Sequence, residues 1–332
     1  NWDHFQYDHI KQGKRQVGST FKPFVYATAI MNLGMTPCST VSNATYTKGD
    51  WVVEGKGGNL TLRDALAHSK NPVAVRLIES VSPKKVIQLA RDLGVTEEMP
   101  NEYAIALGST DITIYEMLGA YSSFANFGNY IKPEMVWRIE DANGRVIKEV
   151  KNETKEVMNE MYAYTMIDLM KGVTRFGTAS GELRRMGIPE TVEIAGKTGT
   201  TQNNSDGWFM GITPNLATGV WVGWEDRATH FWSTGEGQGA KMALPIWGIF
   251  MKKVWADKEL GITPDDKFAK PSNWTGDCAD LQGLGGYGDD GGLQTIDQIK
   301  NPKPKDNQPK NNKPKEENLN ENLNKDEVDF NQ

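Results

Sequence analysis

Apolar residues recur at helical spacing through most of the first half of the chain. This pattern predicts helices near residues 19–32, 61–68, 72–80, 83–92 and 113–127. The last of these helices has an apolar, largely aromatic face that we expect in the core, made of Tyr115, Met117, Leu118, Ala120, Tyr121 and Phe124. The first half is therefore predicted to be mostly helical.

Apolar and polar residues begin to alternate in the second half, as in strands. Two short runs joined at Asn143-Gly144, over 136–139 and 146–150, predict a small surface hairpin, and a helix is predicted near 156–174. Val192 and Ile194 predict a half-buried strand over 191–200.

Two further strands are predicted within 206–224, joined at Thr213-Pro-Asn215, as an antiparallel hairpin beside the strand at 191–200. A last helix, from about Ala243 to Trp255, is expected to cover this sheet through Ile246, Trp247, Phe250 and Met251. Helices flanking an antiparallel sheet predict an α+β fold.

Composition divides the chain into a globular part, 1–258, and a low-complexity tail, 259–332. The tail is rich first in Gly and then in Lys, Asn, Pro and Glu, so it cannot bury enough apolar surface to offset chain ordering, and we expect disorder. The 332 residues are 38% hydrophobic, which fits a folded domain plus a tail. A net charge of −6 argues against general nucleic-acid binding.

Metal, cofactor and disulfide signals are weak. The four histidines, His4, His9, His68 and His230, have no metal-ligand spacing, and no cofactor motif is present. Cys38 and Cys278 are far apart in sequence, and we interpret them as neither a disulfide nor a metal pair.

Ser19-x-x-Lys22 has the spacing of a serine nucleophile and its base. Residues three apart share one helix face, so a helix that starts near Ser19 turns both side chains into one cleft. Pro23 fits the first turn of that helix, and Gly34 is the expected C-terminal stop. Such a helix start also aims free N–H groups at an oxyanion.

This spacing alone is a weak signal, because the chain repeats it at Ser82-Pro-Lys-Lys85. There Ser82 is better interpreted as the N-cap of an amphipathic helix with Pro83 as its first residue, which makes Lys85 a solvated lysine.

Ser69-Lys-Asn71 follows a helix that Thr61 and Asp64 can open as a capping box. Pro72 biases Asn71 away from helical dihedrals, so Ser69 and Asn71 are predicted on a loop, where both can face the cleft. An ordinary polar turn at the end of a helix is the competing interpretation.

Lys197-Thr-Gly-Thr200 lies on the predicted strand at 191–200. Gly196 and Gly199 leave its backbone bare, so an extended peptide can pair with it while Lys197 and the threonine hydroxyls meet a carboxylate. An edge strand protected by a lysine is the alternative for this motif alone. The three motifs in this order indicate serine acyl transfer.

The chain resembles the transpeptidase domain of class A penicillin-binding proteins over about residues 13 to 256. Beyond the three motifs, the similarity lies in 15–26, 206–211, 219–223, 245–247 and 250–251. The resemblance implies a β-lactamase/transpeptidase-like fold, peptidoglycan stem peptides as substrate and acylation by β-lactam antibiotics. It also implies cell-wall synthesis proteins as partners, although no residue pattern identifies them.

The resemblance also implies roles for the motif residues. Ser19 would be the acylated nucleophile, Lys22 its base, and Ser69 the proton relay to the leaving amine. Asn71 would bind the substrate backbone. Lys197, Thr198 and Thr200 would hold the terminal carboxylate, with clearance from Gly199. The backbone N–H groups of Ser19 and Thr200 would form the oxyanion hole.

The beginning of the chain departs from the family pattern. Only 18 residues precede Ser19, room for little more than one strand, so we expect an N-terminally incomplete sheet and a fragment of a longer protein. No stretch of about 20 apolar residues spans a bilayer. By resemblance, the whole protein would face the periplasm, with a membrane anchor and a glycosyltransferase domain upstream.

Three other functions remain open. A class A β-lactamase would add a Glu that activates a hydrolytic water. A D,D-carboxypeptidase differs only in using water as the acceptor. A β-lactam receptor or inactive scaffold would form a stable adduct at Ser19 without turnover.

Overall fold

A computed structural model describes residues 6–274 and Gly276, and these form helices and antiparallel strands, as the predicted α+β class requires. The strands are β1 (Lys14–Gln16), β2 (Thr40–Ser42), β3 (Tyr46–Lys48), β4 (Trp51–Val53), β5 (Asn59–Thr61), β6 (Asp111–Thr113), β7 (Asn129–Ile131), β8 (Arg138–Glu140), β9 (Val146–Glu149), β10 (Thr154–Glu156), β11 (Ala195–Thr200), β12 (Asp206–Thr213) and β13 (Leu216–Gly223). The helices are α1 (Lys22–Leu33), α2 (Leu62–Ala67), α3 (Asn71–Val81), α4 (Pro83–Asp92), α5 (Ile114–Ala125), α6 (Glu160–Arg175), α7 (Ser180–Arg185), α8 (Thr234–Gly237) and α9 (Gly239–Ala256).

The largest sheet within the described residues has the strand order β11-β12-β13, and all pairs are antiparallel. Lys197 pairs with Met210, and Trp208 pairs with Trp221. This confirms the predicted hairpin after the third motif. It also places the motif strand β11 at one edge of the sheet, where an extended peptide can pair with it.

Helices cover both faces of this sheet. On one face, Trp247 of α9 packs edge-on against Phe209, with the ring centroids 5.1 Å apart. On the other face, the side chain of Met210 packs near Gly219 and Ile114 of α5. Since Lys197 is one residue from Thr198 along the strand, their side chains point to opposite faces.

Helix α1 is the central helix of the fold, and its residues 22 to 30 are all buried. Phe24 of this helix packs against the rings of Phe21 before it and of Tyr121 and Phe124 of α5. Gly34 ends the helix in the left-handed conformation and donates its N–H to Ile30 O, as predicted. Any polar group on residues 22 to 30 is therefore removed from water.

Several predicted helix starts are confirmed. The Thr61 side chain accepts the N–H of Asp64, which is half of the expected capping box. Pro83 begins α4 after Ser82, although the Ser82 side chain makes no capping hydrogen bond. Lys85 is exposed, in agreement with its interpretation as a solvated lysine.

The structure corrects two predictions at the motifs. The α-helix begins at Lys22 rather than at Ser19, because residues Gly18–Phe21 form a 3₁₀ turn. Asn71 is the first residue of α3 rather than part of a loop. Pro72 tolerates this because the first turn of a helix needs no intrahelical N–H donors.

Short strands that the sequence pattern did not predict lie in the first half, in the pairs β2–β5, β3–β4 and β1–β6. A pair β10–β7 also precedes α6, which therefore begins at Glu160 instead of near 156. Each of these strands has three residues, too few for a period to show. Among the described residues before Ser19, from residue 6 onward, the strand β1 pairs with β6 and not with the β11-β12-β13 sheet.

Helix α9 covers the sheet with only part of the predicted face. Trp247 and Met251 are fully buried, whereas Ile246 and Phe250 are about half exposed, at 51% and 47%. The prediction for these two residues is wrong because they lie on the opposite side of a helix whose sequence is apolar nearly all round.

Residues 259–274, which composition assigns to a disordered tail, pack against the folded part. Phe268 is buried and its N–H donates to Glu193 Oε2, while Trp274 Nε1 donates to Thr165 Oγ1 at 3.0 Å. These anchoring aromatics are isolated in a polar stretch, so averaged composition misses them. The rest of the predicted tail, apart from Gly276, lies outside the described residues.

Cys38 is buried and disulfide-bonded, which corrects its interpretation as unpaired. The sequence has one other cysteine, Cys278, which lies outside the described residues. Sequence separation was a poor guide because disulfides join residues that are close in space. No helix in the part of the chain that the structure describes is long and apolar enough to cross a bilayer.

Candidate active site

Ser19 lies in the 3₁₀ turn Gly18–Phe21, partly exposed, directly before α1. The turn is pressed against the end of β11, since a Cβ on Gly18 would come within 2.7 Å of Thr200 O. Gly18 also has φ of +53°, a conformation that favours glycine. The backbone of the predicted nucleophile therefore lies beside the last residue of the third motif.

Buried hydrogen bonds hold this turn from below. Tyr121 donates its hydroxyl to Thr20 O at 2.6 Å, and Trp208 Nε1 donates to Gln16 O at 2.9 Å. The sequence pattern assigned Tyr121 to the core, which is correct for its ring. Its hydroxyl function carries no sequence signal, because helical periodicity reports only that a residue faces inward.

Lys22 is fully buried, and its amine contacts three oxygen atoms of the second motif. Nζ lies 2.6 Å from Ser69 O, 2.6 Å from Asn71 Oδ1 and 3.1 Å from Ser69 Oγ. The first two oxygens can only accept hydrogen bonds. The Ser19 hydroxyl makes no hydrogen bond to Lys22 or to any other described residue, so the predicted direct pair is not formed in this state.

Ser69 is placed by the way α2 ends. Its N–H donates to Leu66 O and the N–H of Lys70 donates to Ala65 O, which is a Schellman motif. Ser69 occupies the left-handed position of that motif with φ of +54°, where glycine is usual. This conformation costs about 1 kcal/mol for a residue with a side chain, and it turns the Ser69 hydroxyl towards the lysines.

Lys197 approaches the same hydroxyl from β11. It is fully buried, and its Nζ donates to Ser69 Oγ at 2.9 Å and to Thr198 O at 3.0 Å. Ser69 Oγ therefore lies between the two lysine amines. Residues 22, 69, 71 and 197, from three separate segments, form one hydrogen-bonded cluster as the sequence predicts.

Burial lowers the pKa of both lysines. The pKa of Lys22 is held well below its ordinary value, chiefly by burial and further by the positive charges of Lys197 and Lys70. Burial lowers the pKa of Lys197 to about 7. A neutral Lys22 amine has a lone pair and can accept a proton, which is the property a general base needs.

The other residues of the third motif are also near the turn. Thr198 is buried, and its Oγ1 lies 2.7 Å from Thr178 Oγ1. A Cβ on Gly199 would lie 2.8 Å from Val17 O and from the side chain of Thr20, so glycine is required there by the Ser19 turn. Thr200 Oγ1 accepts the N–H of Gly239 at the start of α9.

Thr178 belongs to none of the three motifs, so the motif reasoning missed it. No residue pattern marks it, because its relation to Thr198 depends on tertiary structure. Among the described residues, no cluster of three or more His, Cys, Asp and Glu side chains is arranged to hold a metal ion.

Comparisons with known proteins agree with this geometry. The family model described as the penicillin binding protein transpeptidase domain matches residues 6–225. Penicillin-binding protein 1A of Aquifex aeolicus is 35% identical over 275 residues, which is 79% of this chain. Its counterpart in Neisseria meningitidis serogroup A is 34% identical over 271 residues, or 76% of this chain.

A solved structure gives the same relation. Penicillin-binding protein 1A of Haemophilus influenzae superposes with a TM-score of 0.70 at 25% identity, covering 82% of this chain and 46% of that one. The chain spans only about a third of the length of the curated relatives, 36% and 33% for the two named above.

Proposed function

Because the chain belongs to the penicillin-binding protein transpeptidase family, we propose that it is a serine acyl-transferase that cross-links peptidoglycan stem peptides. Ser19 is the nucleophile, and β-lactams acylate it. The observation that carries this proposal is the buried, hydrogen-bonded cluster of Lys22, Ser69, Asn71 and Lys197 beside the Ser19 turn.

Lys22 is the general base in this proposal. A neutral amine has two N–H bonds, and these are used by Ser69 O and Asn71 Oδ1. Its lone pair is left to accept a hydroxyl proton. When Ser19 Oγ attacks the carbonyl of the penultimate D-alanine, the proton passes to Lys22 Nζ, which requires the Ser19 hydroxyl to reach that amine.

Ser69 carries the proton onward. Its hydroxyl lies within hydrogen-bond distance of both amines, 3.1 Å from Lys22 Nζ and 2.9 Å from Lys197 Nζ. As the peptide bond breaks, the leaving D-alanine amine takes the proton of the Ser69 hydroxyl. Protonated Lys22 then returns a proton to Ser69 Oγ. An amine of a second stem peptide then attacks the Ser19 ester, and the reverse transfer completes the cross-link.

Substrate lies along β11 as an added strand. Asn71 hydrogen-bonds its backbone, and Lys197, Thr198 and Thr200 hold the terminal carboxylate. Gly199 lets the Ser19 turn lie close to the strand, because a side chain at this position would clash with Val17 O. The N–H groups of Ser19 and Thr200, on adjoining segments, bind the oxyanion, the interaction that usually contributes most to acyl transfer.

This chain matches about a third of the length of its relatives. The whole protein is proposed to lie on the extracytoplasmic face of the cytoplasmic membrane. There it would have an anchor and a glycosyltransferase domain and would act with other cell-wall synthesis proteins. These features rest on the relatives alone.

The test is an incubation of the chain with a pentapeptide donor ending in D-alanyl-D-alanine and an amine acceptor. The expected product is a cross-linked dimer, absent with Ser19→Ala. Release of D-alanine without dimer would assign a D,D-carboxypeptidase. A stable penicillin adduct with neither product would assign a receptor, and would contradict the proposal.

A further inference from the structure

The loop at residues 177–179, between α6 and α7, lies between the second and third motifs. Its backbone is fixed to α2, because Thr178 donates its N–H to Ala67 O at 3.0 Å. A Cβ on Gly177 would clash with the same carbonyl oxygen, so the loop approaches α2 more closely than any other residue would allow. Ala67 is two residues before Ser69, so this loop is hydrogen-bonded to the segment that carries the second motif.

The side chain of Thr178 extends from this loop to the third motif. Its Oγ1 lies 2.7 Å from Thr198 Oγ1, and either hydroxyl can be the donor. Thr198 is 6% exposed, whereas Thr178 is exposed. The pair therefore has one member inside the wall of the site and one at its open surface.

Two hydroxyls that share one hydrogen bond leave one O–H proton free. If Thr178 donates, the Thr198 proton is available to an anion, and if Thr198 donates, the Thr178 proton is available instead. In both arrangements the pair presents one oriented O–H donor on the third motif. Without the Thr178 hydroxyl, Thr198 would lose the partner that fixes its rotation.

We propose that Thr178 is a positioning residue for the donor substrate, because its hydroxyl orients that of Thr198 towards the terminal carboxylate of a stem peptide or β-lactam. This role rests on the proposed acyl-transfer function and adds a residue outside the three motifs. It predicts a defect confined to ligands that carry the carboxylate.

The test compares acylation by a labelled penicillin with acylation by its methyl ester, which lacks the anionic group. In Thr178→Val the second-order rate with the penicillin should fall about tenfold, the size expected for one hydrogen bond to a charged group. The rate with the ester should change less than about twofold. Thr178→Ser, which restores the hydroxyl, should resemble the wild type with both ligands.

Ser180→Ala is the matched control, because the Ser180 hydroxyl in the same region donates only to Gly177 O. Its penicillin-to-ester ratio should equal that of the wild type. In a Thr198→Val background, Thr178→Val should cause no further loss, since the two residues act as one unit. A disturbance of the loop by valine would enter the Thr178→Val step in both backgrounds, so it cancels in the coupling between the two residues.

This inference would be overturned if Thr178→Val left the penicillin-to-ester ratio of acylation rates unchanged. It would also be overturned if Ser180→Ala changed that ratio as much as Thr178→Val does. In each of these cases wild-type acylation at Ser19 would still stand, and with it the proposed function. Failure of the wild type to be acylated at all would overturn both.

Discussion

The buried amine of Lys197 should destabilise the fold in a pH-dependent way, and Lys197→Met removes it. Burial lowers the pKa of Lys197 from 10.5 to about 7. At about 1.4 kcal/mol per pKa unit, the protonated amine costs about 5 kcal/mol of folding free energy. Because the unfolded chain binds the proton more tightly, this cost is full below pH 7 and is relieved as the pH rises towards 10.5.

Urea unfolding at about pH 6 and about pH 9 measures this cost. The variant should be more stable than the wild type at the lower pH. The gain is reduced by the loss of the two hydrogen bonds that Lys197 makes to Ser69 and Thr198. Those bonds are missing from the variant at both pH values. The stability difference between the two proteins should therefore shrink by about 2 to 3 kcal/mol over this interval.

Lys85→Met is the control, because Lys85 is an exposed lysine of α4 and reports the effect of removing one positive charge from the surface. Its stability difference from the wild type should be nearly constant over the same interval. A difference for Lys197→Met that is also constant would refute the claim that Lys197 gives up its proton on folding.

Three further predictions concern the site and its support. Lys22→Met should slow penicillin acylation of Ser19 by about 10² to 10⁴-fold, the range for loss of a general base, and a smaller loss in stopped-flow labelling would assign the base elsewhere. Tyr121→Phe leaves the buried Thr20 carbonyl without its donor and should cost about 1 to 3 kcal/mol in urea unfolding, whereas an unchanged midpoint would contradict that bond's importance. Removing the disulfide with Cys38→Ala should cost about 2 to 5 kcal/mol, and reductant should lower the wild-type melting temperature to the variant's value but leave the variant unchanged.

The long, regular elements of the fold were accessible from sequence because their periods repeat several times. Helix α4 and the β12–β13 hairpin lie where the pattern predicted them. The three-residue strands β2 to β5 were not accessible, since so few residues show no period. The boundary at residue 258 was too early because Phe268 and Trp274 anchor a stretch whose average composition is polar.

The candidate site was predicted as a set of residues but not as a geometry. Motif order brought Lys22, Ser69 and Lys197 together correctly. No residue pattern indicated that Lys22 would contact Ser69 and Asn71 rather than Ser19, because those contacts depend on the left-handed turn at the end of α2. Thr178 was not identified from the sequence either. Its hydrogen bond to Thr198, 20 residues away, depends on tertiary structure.

The central claim is that Ser19 is the residue that becomes acylated. Mass spectrometry of the proteolysed chain after incubation with a labelled penicillin tests it most directly. One added penicillin mass is expected on the peptide that contains Ser19, and none in Ser19→Ala. Label on the peptide that contains Ser69, or label that persists in Ser19→Ala, would contradict it.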